Sequence, residues 1–557
     1  MKFSLFINII YPFALAKNGS EIKPNSSLII FTNFLKIYFT IFEILDLRIK
    51  MQRRTFLKTS ALALVSTSLS YAMPMHSNHT SHQNTPADTS FIHLAPLDLK
   101  LLDKKEFPAN QALKPLNLLK NESKKKGYFK ARIKITEEEI ELIKGKKTKF
   151  YTYNASIPAP KIEVFEGDEV EIIVENHLKE PTTIHWHGLP VPPNQDGNPH
   201  DAVLPKESRS YHFTLPQNCA GTYWYHPHPH YITSKQVFMG LSGAFVVKAK
   251  KDALSHFAEQ DFMISDLRLD ENAQIPHNNL YDWLNGREGE FVLINGQFEP
   301  KITLNNEKIR LYNCCSARYL RLRIKGAKFL LVGTDGGLLE RGVEKEELFL
   351  SPASRAEVFI LAPKGEFKLE SLYYDRDKML VKEEKKDLFL ASVEIKNPPL
   401  EIPKELRKFK PLDEPKEFKE VILSEDHAKM HGIAKKTQDE LKNSLASMFL
   451  LNGKIFDMKR VDFSSRVGEV EDWIIINKSH MDHPFHIHGT QFELISSKLN
   501  GKVQKAEFRA LRDTINVRPK EELRLRMKQD FKGLRMYHCH ILEHEDLGMM
   551  GNLELRE

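Results

Sequence analysis

Pairs of histidines separated by one residue constrain this chain more than any other feature of its sequence. They occur in four segments, His185-Trp186-His187, His226-Pro227-His228, His486-Ile487-His488 and His538-Cys539-His540. One such pair means little, but four in one chain indicate a shared site. Residues two apart on a β-strand point to the same face, so each pair can present two imidazoles to one place. The pattern predicts strands that carry eight convergent histidines.

The residues beside these pairs predict a second centre. Cys539 stands between two of the histidines, so on a strand its thiol points away from both imidazoles. The same parity places His483 on the side of Cys539, and His544 and Met549 follow shortly after the cysteine. Two imidazoles, one thiolate and a distant thioether form the ligand set of a blue-copper electron-transfer site.

Eight imidazoles are too many for one metal ion and suit a cluster of three ions with open coordination positions. Structural zinc prefers four ligands, usually cysteine-rich and closely spaced. The attachment motifs of haem and iron–sulfur clusters do not occur in the sequence. Copper fits both ligand sets. The sequence therefore predicts two copper centres that are joined by the tripeptide 538–540.

The body of the chain is a repeat of β-units. Short strands with turn signals recur, and no long helical pattern dominates. Three segments open alike at Asn154, Asn295 and Asn452, and their spacing fits three copies of one small β-sandwich or barrel. Segments 221–228 and 533–540 also share glycine, tyrosine and both histidines in register.

We expect these units to form domains at 91–250, 251–400 and 401–557, with linkers near Lys250 and within 397–418. In the middle unit, the segment Ala317-Arg318-Tyr319-Leu320 stands where the other units carry paired histidines. We therefore expect no metal in the middle domain.

The charge of the chain is concentrated at its start. The formal net charge is +7, but most of this excess lies in the first 72 residues, and the remainder is nearly neutral. We therefore expect no nucleic-acid partner. The 28% charged and 41% hydrophobic residues are typical of a soluble globular protein, and four cysteines are too few for a disulfide scaffold.

Residues 51–72 have the layout of a twin-arginine export signal. Arg53 and Arg54 precede a short apolar stretch, and a small-x-small cleavage site ends at Ala72. This pattern predicts a protein that the twin-arginine machinery exports, already folded, to the periplasm. We also expect it to be a monomer.

The segments on either side of this signal are not expected to belong to the fold. Translation from Met51 would make residues 1–50 a non-native upstream extension, and a genuine N-terminal anchor is the alternative. Residues 73–90 are polar and without pattern, which predicts a flexible arm. Its histidines and methionines could collect copper ions.

The four histidine segments resemble the signature segments of the multicopper oxidases. The run from His538 to Met550 is most similar to the bacterial copper-efflux oxidase branch, and the similarity covers most of residues 126–557 in order and spacing. It implies an all-β protein of three cupredoxin-like Greek-key β-sandwich domains. It also implies a trinuclear copper cluster between the first and third domains.

The resemblance further implies four copper ions with defined ligands. The type 1 copper would be held by His483, Cys539, His544 and Met549. The type 2 copper would be held by His185 and His486, and the type 3 pair by His187, His226, His228, His488, His538 and His540. Single electrons from a reducing substrate would pass through Cys539 to the cluster, where dioxygen is reduced to two waters.

Two carboxylates match the family's proton donors. Asp196 lies nine residues after His187, and Glu545 directly follows His544. Reduction of dioxygen consumes protons, so the resemblance implies a catalytic role for both acids. The alternative for each is a solvated turn residue.

The substrate is less constrained than the metal. The export signal, the arm and the family branch favour oxidation of Cu(I) to Cu(II) in copper detoxification. Met481 matches a cuprous-substrate methionine of that branch, but Ser479 replaces the branch's aspartate and residues 400–450 lack a methionine-rich insert. Met481 could equally be a packing residue. The alternatives are a laccase-like oxidase of phenols or aromatic amines, a ferroxidase, or a copper storage or scaffold protein without oxidase activity.

Overall fold

The computed structural model describes residues 88–398 and 401–557. The predicted extension at 1–50, the export signal at 51–72 and the arm up to residue 87 therefore lie outside the described residues. In the part that is described, helices are short, and none has the length and apolar character needed to cross a membrane.

Strands β1–β8 form the first sandwich. Their bounds are β1 Tyr128–Ile143, β2 Lys146–Tyr153, β3 Ala159–Phe165, β4 Glu169–Asn176, β5 His185–His187, β6 Ser208–Thr214, β7 Gly221–His226 and β8 Gly243–Lys248, with helix α1 at Thr233–Phe238. The sheet β2-β1-β4-β6 and the sheet β3-β8-β7-β5 share one hydrophobic core. Along β4 every second residue is buried, as expected for a strand with one face on a core.

Strands β9–β20 form the second sandwich. Their bounds are β9 Glu259–Leu267, β10 Phe291–Ile294, β11 Gln297–Phe298, β12 Lys301–Asn305, β13 Lys308–Asn313, β14 Leu320–Ile324, β15 Lys328–Thr334, β16 Gly337–Lys345, β17 Glu347–Leu350, β18 Arg355–Leu361, β19 Gly365–Ser371 and β20 Leu388–Asn397, with helix α2 at Leu280–Asn285. The sheets β11-β10-β9-β13-β18-β15-β16 and β12-β20-β19-β14-β17 enclose its core.

Strands β21–β32 form the third sandwich. Their bounds are β21 Glu417–Glu425, β22 Phe449–Leu451, β23 Phe463–Arg466, β24 Val470–Asn477, β25 His483–Ile487, β26 Phe492–Leu499, β27 Lys502–Lys505, β28 Leu511–Arg512, β29 Thr514–Val517, β30 Glu521–Lys528, β31 Gly533–Cys539 and β32 Met550–Arg556, with helices α3 at Gln438–Leu445 and α4 at Leu542–Asp546. Its sheets are β22-β21-β24-β30-β26-β27, with β28 beside β26, and β23-β32-β31-β25-β29. The predicted all-β class is confirmed.

The same asparagine turn recurs in all three sandwiches. Asn154, Asn295 and Asn452 each have a positive φ, as does the residue that follows each of them. In every case the side-chain oxygen accepts a backbone N–H, and the side-chain amide donates to a carbonyl two residues before that N–H. Asparagine tolerates this left-handed conformation better than most residues. The repeat predicted from these three positions therefore extends to individual hydrogen bonds.

The segment 91–127 precedes the first sandwich and pairs with more than one of them. Leu101 and Ala112 form bridges to residues of the second sandwich, whereas Leu118 forms a bridge to Lys161 in the first. The predicted first domain at 91–250 therefore includes a stretch that also packs on its neighbour. Among the described residues, no strand lies between 248 and 259 or between 397 and 417, close to the predicted linkers.

Candidate metal centres

Matching strand pairs in the first and third sandwiches position the histidine segments. In the first sandwich, β5 and β7 run antiparallel with His185 opposite His226. In the third, β25 and β31 run antiparallel with His486 opposite His538. Side chains of directly opposed residues lie on the same face of a sheet. Each strand pair therefore presents its imidazoles on one face, in the same register in both domains.

The two sets of imidazoles meet between the first and third sandwiches. The rings of His185 and His488 stack with their centroids 3.8 Å apart, and those of His187 and His486 do the same at 3.8 Å. The Nε2 atom of His538 lies 3.2 Å from Nε2 of His228 and 3.1 Å from Nε2 of His488. All eight imidazoles predicted to converge are buried in this one place.

These imidazoles have the chemistry of metal ligands. Nε2 of His185, Nε2 of His486 and both ring nitrogens of His540 are buried without a hydrogen-bond partner among the described residues, which is unfavourable unless another group binds them. Burial also lowers the pKa of most of these rings well below its ordinary value, as in His187, His226, His228, His486, His488 and His540. A neutral imidazole with a free nitrogen is the form that binds a metal ion.

A second group of ligands lies on the other face of β31. The Sγ atom of Cys539 is 3.3 Å from Nδ1 of His483 and 4.0 Å from Nδ1 of His544. The outer nitrogens of these rings are held elsewhere, His483 Nε2 by Ser479 Oγ at 2.8 Å and His544 Nε2 by the carbonyl of Leu284 at 3.1 Å. Both rings therefore direct the same nitrogen at the sulfur, as ligands of one ion would.

The surroundings of this thiol are apolar and closed. Met549 is fully buried beside Cys539, whose N–H donates to the Met549 carbonyl at 3.1 Å. The ring of Phe449 stacks on His544 at 3.7 Å. Burial raises the pKa of the Cys539 thiol, so a bound cation is needed to keep it as a thiolate. The donor set is that of a blue-copper site.

Asp196 lies against the imidazole cluster on the side of the first sandwich. Its Oδ1 atom is 3.2 Å from Nδ1 of His185, and its Oδ2 atom is 3.5 Å from Nδ1 of His488. The guanidinium of Arg535, from the third sandwich, donates to Oδ2 at 3.2 Å. The carboxyl is fully buried, so Asp196 is not a solvated turn residue.

Glu545 lies against a different part of the cluster. Its carboxyl oxygens are 3.1 Å from Nδ1 of His538 and 3.4 Å from Nε2 of His228. It is also fully buried. Burial raises the pKa of the Glu545 carboxyl, but His228, His538 and Thr233 together lower it by more, so the net shift is downward. Both predicted carboxyls therefore touch the imidazoles they would serve.

Asp513 is a cluster residue that the sequence reasoning missed. Its Oδ1 atom lies 3.0 Å from Nε2 of His187, and its backbone carbonyl is 2.8 Å from Nδ1 of His486. Arg355, from the second sandwich, donates to both carboxyl oxygens, and Gln491 donates to Oδ2 at 2.8 Å. No spacing pattern marks Asp513, because its partners are remote in the sequence. The middle sandwich thus supports the cluster through Arg355.

The side chain of Met481 is not exposed to solvent. Its side chain is fully buried in the core of the third sandwich, beside Phe485 and Cys539. The hydroxyl of Ser479, two residues earlier, lies within hydrogen-bond distance of the Asn477 side-chain oxygen and of the Met481 carbonyl. The structure favours the packing interpretation of Met481.

Known proteins are similar to this chain in sequence. Two family models described as multicopper oxidase match residues 134–252 and 425–557. A multicopper oxidase of Staphylococcus aureus is 32% identical over 440 residues, which cover 77% of this chain and 89% of that protein.

Solved structures of multicopper oxidases and laccases are also similar to this chain. A multicopper oxidase from Campylobacter jejuni, described as a metallo-oxidase, has a TM-score of 0.83 and 74% identity, covering 84% of this chain and 100% of the other. A laccase from Pediococcus acidilactici has a TM-score of 0.68 and 28% identity, with coverage of 84% and 100%. These matches confirm the predicted cupredoxin-like fold. The chain belongs to the multicopper oxidases, copper-containing oxidoreductases that use dioxygen and a reducing substrate.

Proposed function

We propose that this enzyme oxidises Cu(I) to Cu(II) by one electron and couples four such oxidations to the reduction of dioxygen to two waters. The observation that supports the coupling is the position of Cys539, whose thiol faces one ligand group while its neighbours face the other. The similarity to a protein described as a metallo-oxidase supports a metal ion as the substrate.

Four copper ions would occupy the two ligand groups. The type 1 ion would be held by His483, Cys539, His544 and Met549. The type 2 ion would be held by His185 and His486, and the type 3 pair by His187, His226, His228, His488, His538 and His540. Copper bound at these positions supplies one-electron redox chemistry and the binding of dioxygen. The complete donor set argues against a scaffold that has lost its metals.

The chain itself provides a covalent connection between the two centres. The thiol of Cys539 is joined to the imidazoles of His538 and His540 through the backbone of one tripeptide. The strand β31 is held between β25 and β32, which fixes the directions of His538 and Cys539. His540 follows the strand, and its N–H donates to the Pro484 carbonyl at 2.7 Å. Because these groups are fully buried, water is excluded from the connection.

Asp196 and Glu545 would pass on the protons that the reaction consumes. Each is buried against imidazoles of the cluster, Asp196 at His185 and His488 and Glu545 at His538 and His228. A carboxyl within hydrogen-bond distance of the reacting centre is placed to transfer a proton without exposing the site to water. The two acids approach from different sides.

We place the mature enzyme in the periplasm, as a monomer, in a role in copper detoxification. The twin-arginine segment at 51–72 supports export in the folded state. Mass spectrometry of the native protein, before and after processing, tests this. Expected products start at Met51 and then just after Ala72, whereas a product that retains residues 1–50 would contradict it.

Steady-state oxygen consumption tests the proposed substrate. The copper-loaded enzyme would be compared with Cu(I), Fe(II), a phenol and an aromatic amine. We expect kcat/KM to be highest for Cu(I). A higher value for the phenol or amine would favour a laccase-like oxidase, and a higher value for Fe(II) would favour a ferroxidase. Copper binding without oxygen consumption would indicate storage.

A further inference from the structure

A group of metal-binding side chains lies beside the mononuclear centre but outside its ligand set. Nδ1 of His480 is 2.6 Å from Oε2 of Glu425, and Nε2 of His427 is 3.7 Å from the same oxygen. The two imidazole rings have their centroids 5.6 Å apart. Two imidazoles thus converge on one carboxylate.

Glu425 connects this group to the mononuclear centre. Its side chain is 1% exposed, and its Oε1 atom, 3.6 Å from Nε2 of His483, has no hydrogen-bond partner in the described part of the chain. A buried carboxylate oxygen without a partner is costly. Nε2 of His480 is likewise buried and unpartnered among those residues. The ion pair between His480 and Glu425 therefore does not account for Oε1 of Glu425 or for Nε2 of His480.

Solvent reaches the group through an open cavity of about 270 Å³. Its walls are formed by Asp377, Lys378, Met379, Leu380, His427 and His480. The side chain of His427 is 61% exposed, and that of His480 is 26% exposed. The cavity thus joins solvent to the two imidazoles that lie against the buried Glu425.

The charges around the cavity suit a cation. Asp377 is exposed and adds a negative charge near His480. The ammonium of Lys378 is 3.0 Å from Glu288 and also pairs with Glu383. Its positive charge is therefore compensated and does not oppose entry of a cation.

We propose that His427, His480 and Glu425 bind the substrate metal ion, Cu(I) or Fe(II), before it is oxidised. This proposal rests on the proposed function. Two imidazoles with one carboxylate suit copper and iron, and the thioether of Met379 on the cavity wall suits Cu(I). Four bound ions would each lose one electron, and one dioxygen with four protons would become two waters. This site is formed by other residues, at another position, than the substrate-copper site that the sequence suggested at Met481.

Steady-state kinetics of the His427→Ala variant, with metal ions and with a phenol as substrates, test the site. Loss of a metal-binding side chain should raise KM for Cu(I) and Fe(II) by ~10-fold or more, while kcat/KM for a phenol and the copper content stay unchanged. His177→Ala is the matched control, because His177 is also a surface histidine, 51% exposed and 3.4 Å from Glu175. An unchanged KM for both metal ions, or an equal loss with the phenol, would overturn the proposal.

Binding of ions that the enzyme does not oxidise separates this site from the proposed function. Ag(I) stands in for Cu(I) and Ni(II) for Fe(II), each titrated into the copper-loaded enzyme and located by anomalous scattering. We expect one of them in the cavity, lost when His427→Ala and His480→Ala are combined. If neither binds, the site is wrong even where Cu(I) oxidation is fast. If one binds but no metal ion is oxidised, the proposed function fails and the site stands.

Discussion

The first and third sandwiches use the same pair of strands in the same register, yet among the described residues only the third carries a ligand group like that around Cys539. Thr182 bridges Val203 where His483 pairs with Val517, and Pro227 occupies the place of Cys539 between its two histidines. The cluster faces of the two strand pairs are alike. Their reverse faces differ. The fold therefore supplies imidazoles twice, and the residues on the reverse face decide where a sulfur site can form.

A second correspondence joins the two halves of the cluster. The backbone carbonyl of Asp196 is 2.9 Å from Nδ1 of His185, and that of Asp513 is 2.8 Å from Nδ1 of His486. Each carboxyl is held by an arginine from another sandwich, Arg535 for Asp196 and Arg355 for Asp513. The two aspartates thus make similar contacts in the two halves of the cluster, although only Asp196 matched a known motif.

Replacement of Cys539 is expected to have the largest effect. Cys539→Ser removes the thiolate, so we expect turnover to fall by ~1000-fold or more, with loss of the blue absorption and of one copper per chain. Oxygen consumption, an optical spectrum and metal analysis measure this. Cys219→Ser is the control, because the Cys219 thiol donates to the Pro216 carbonyl in the first sandwich. A blue, active Cys539→Ser enzyme would refute the assignment.

Replacement of Glu545 should have the next largest effect. Glu545→Gln cannot transfer a proton, so we expect kcat to fall by ~100-fold with the copper content and blue absorption retained. Glu543→Gln is a matched control, since Glu543 lies in the same helix and faces Asn278. Burial raises the pKa of the Glu543 carboxyl to about 7. Equal losses in the two variants would show that Glu545 acts through packing alone.

Asp513→Asn tests the correspondence between the two aspartates. Removing its charge takes one acidic partner from Arg355, which keeps Asp335 at 3.4 Å, and weakens the orientation of His187. We expect affinity for the cluster copper to fall by ~10–100-fold, measured by competition with a chelator. Retained copper at every chelator concentration would contradict a supporting role.

Asp196→Asn should also slow oxygen reduction, since Asp196 touches two imidazoles.

Pro227→Ala should have the smallest effect. Pro227 occupies the place of Cys539, and its backbone carbonyl lies 2.9 Å from Nδ1 of His226. Alanine keeps that carbonyl, so we expect kcat to change by less than ~3-fold and unfolding free energy by less than about 1 kcal/mol. Oxygen consumption and thermal unfolding measure the two quantities. A large loss of turnover would show that the reverse face of the first sandwich also takes part.

The sequence predicted those features that depend on local periodicity. Strand parity placed His483 with Cys539 and separated both from His538, and the asparagine turns marked the repeat. It missed Asp513, Arg355 and Glu425, because their partners lie far away in the chain and only the packed sandwiches bring them together. Met481 was singled out by its match to a motif, but burial in the core decides its contacts.

Anomalous scattering at the copper edge from crystals of the loaded enzyme tests the central claim most directly. We expect one copper bonded to Sγ of Cys539 and to Nδ1 of His483 and His544, with three more among the imidazoles on the opposite side of β31. Density for copper at the imidazoles with none at the sulfur, or for copper bound by Cys539 together with His538, would contradict it.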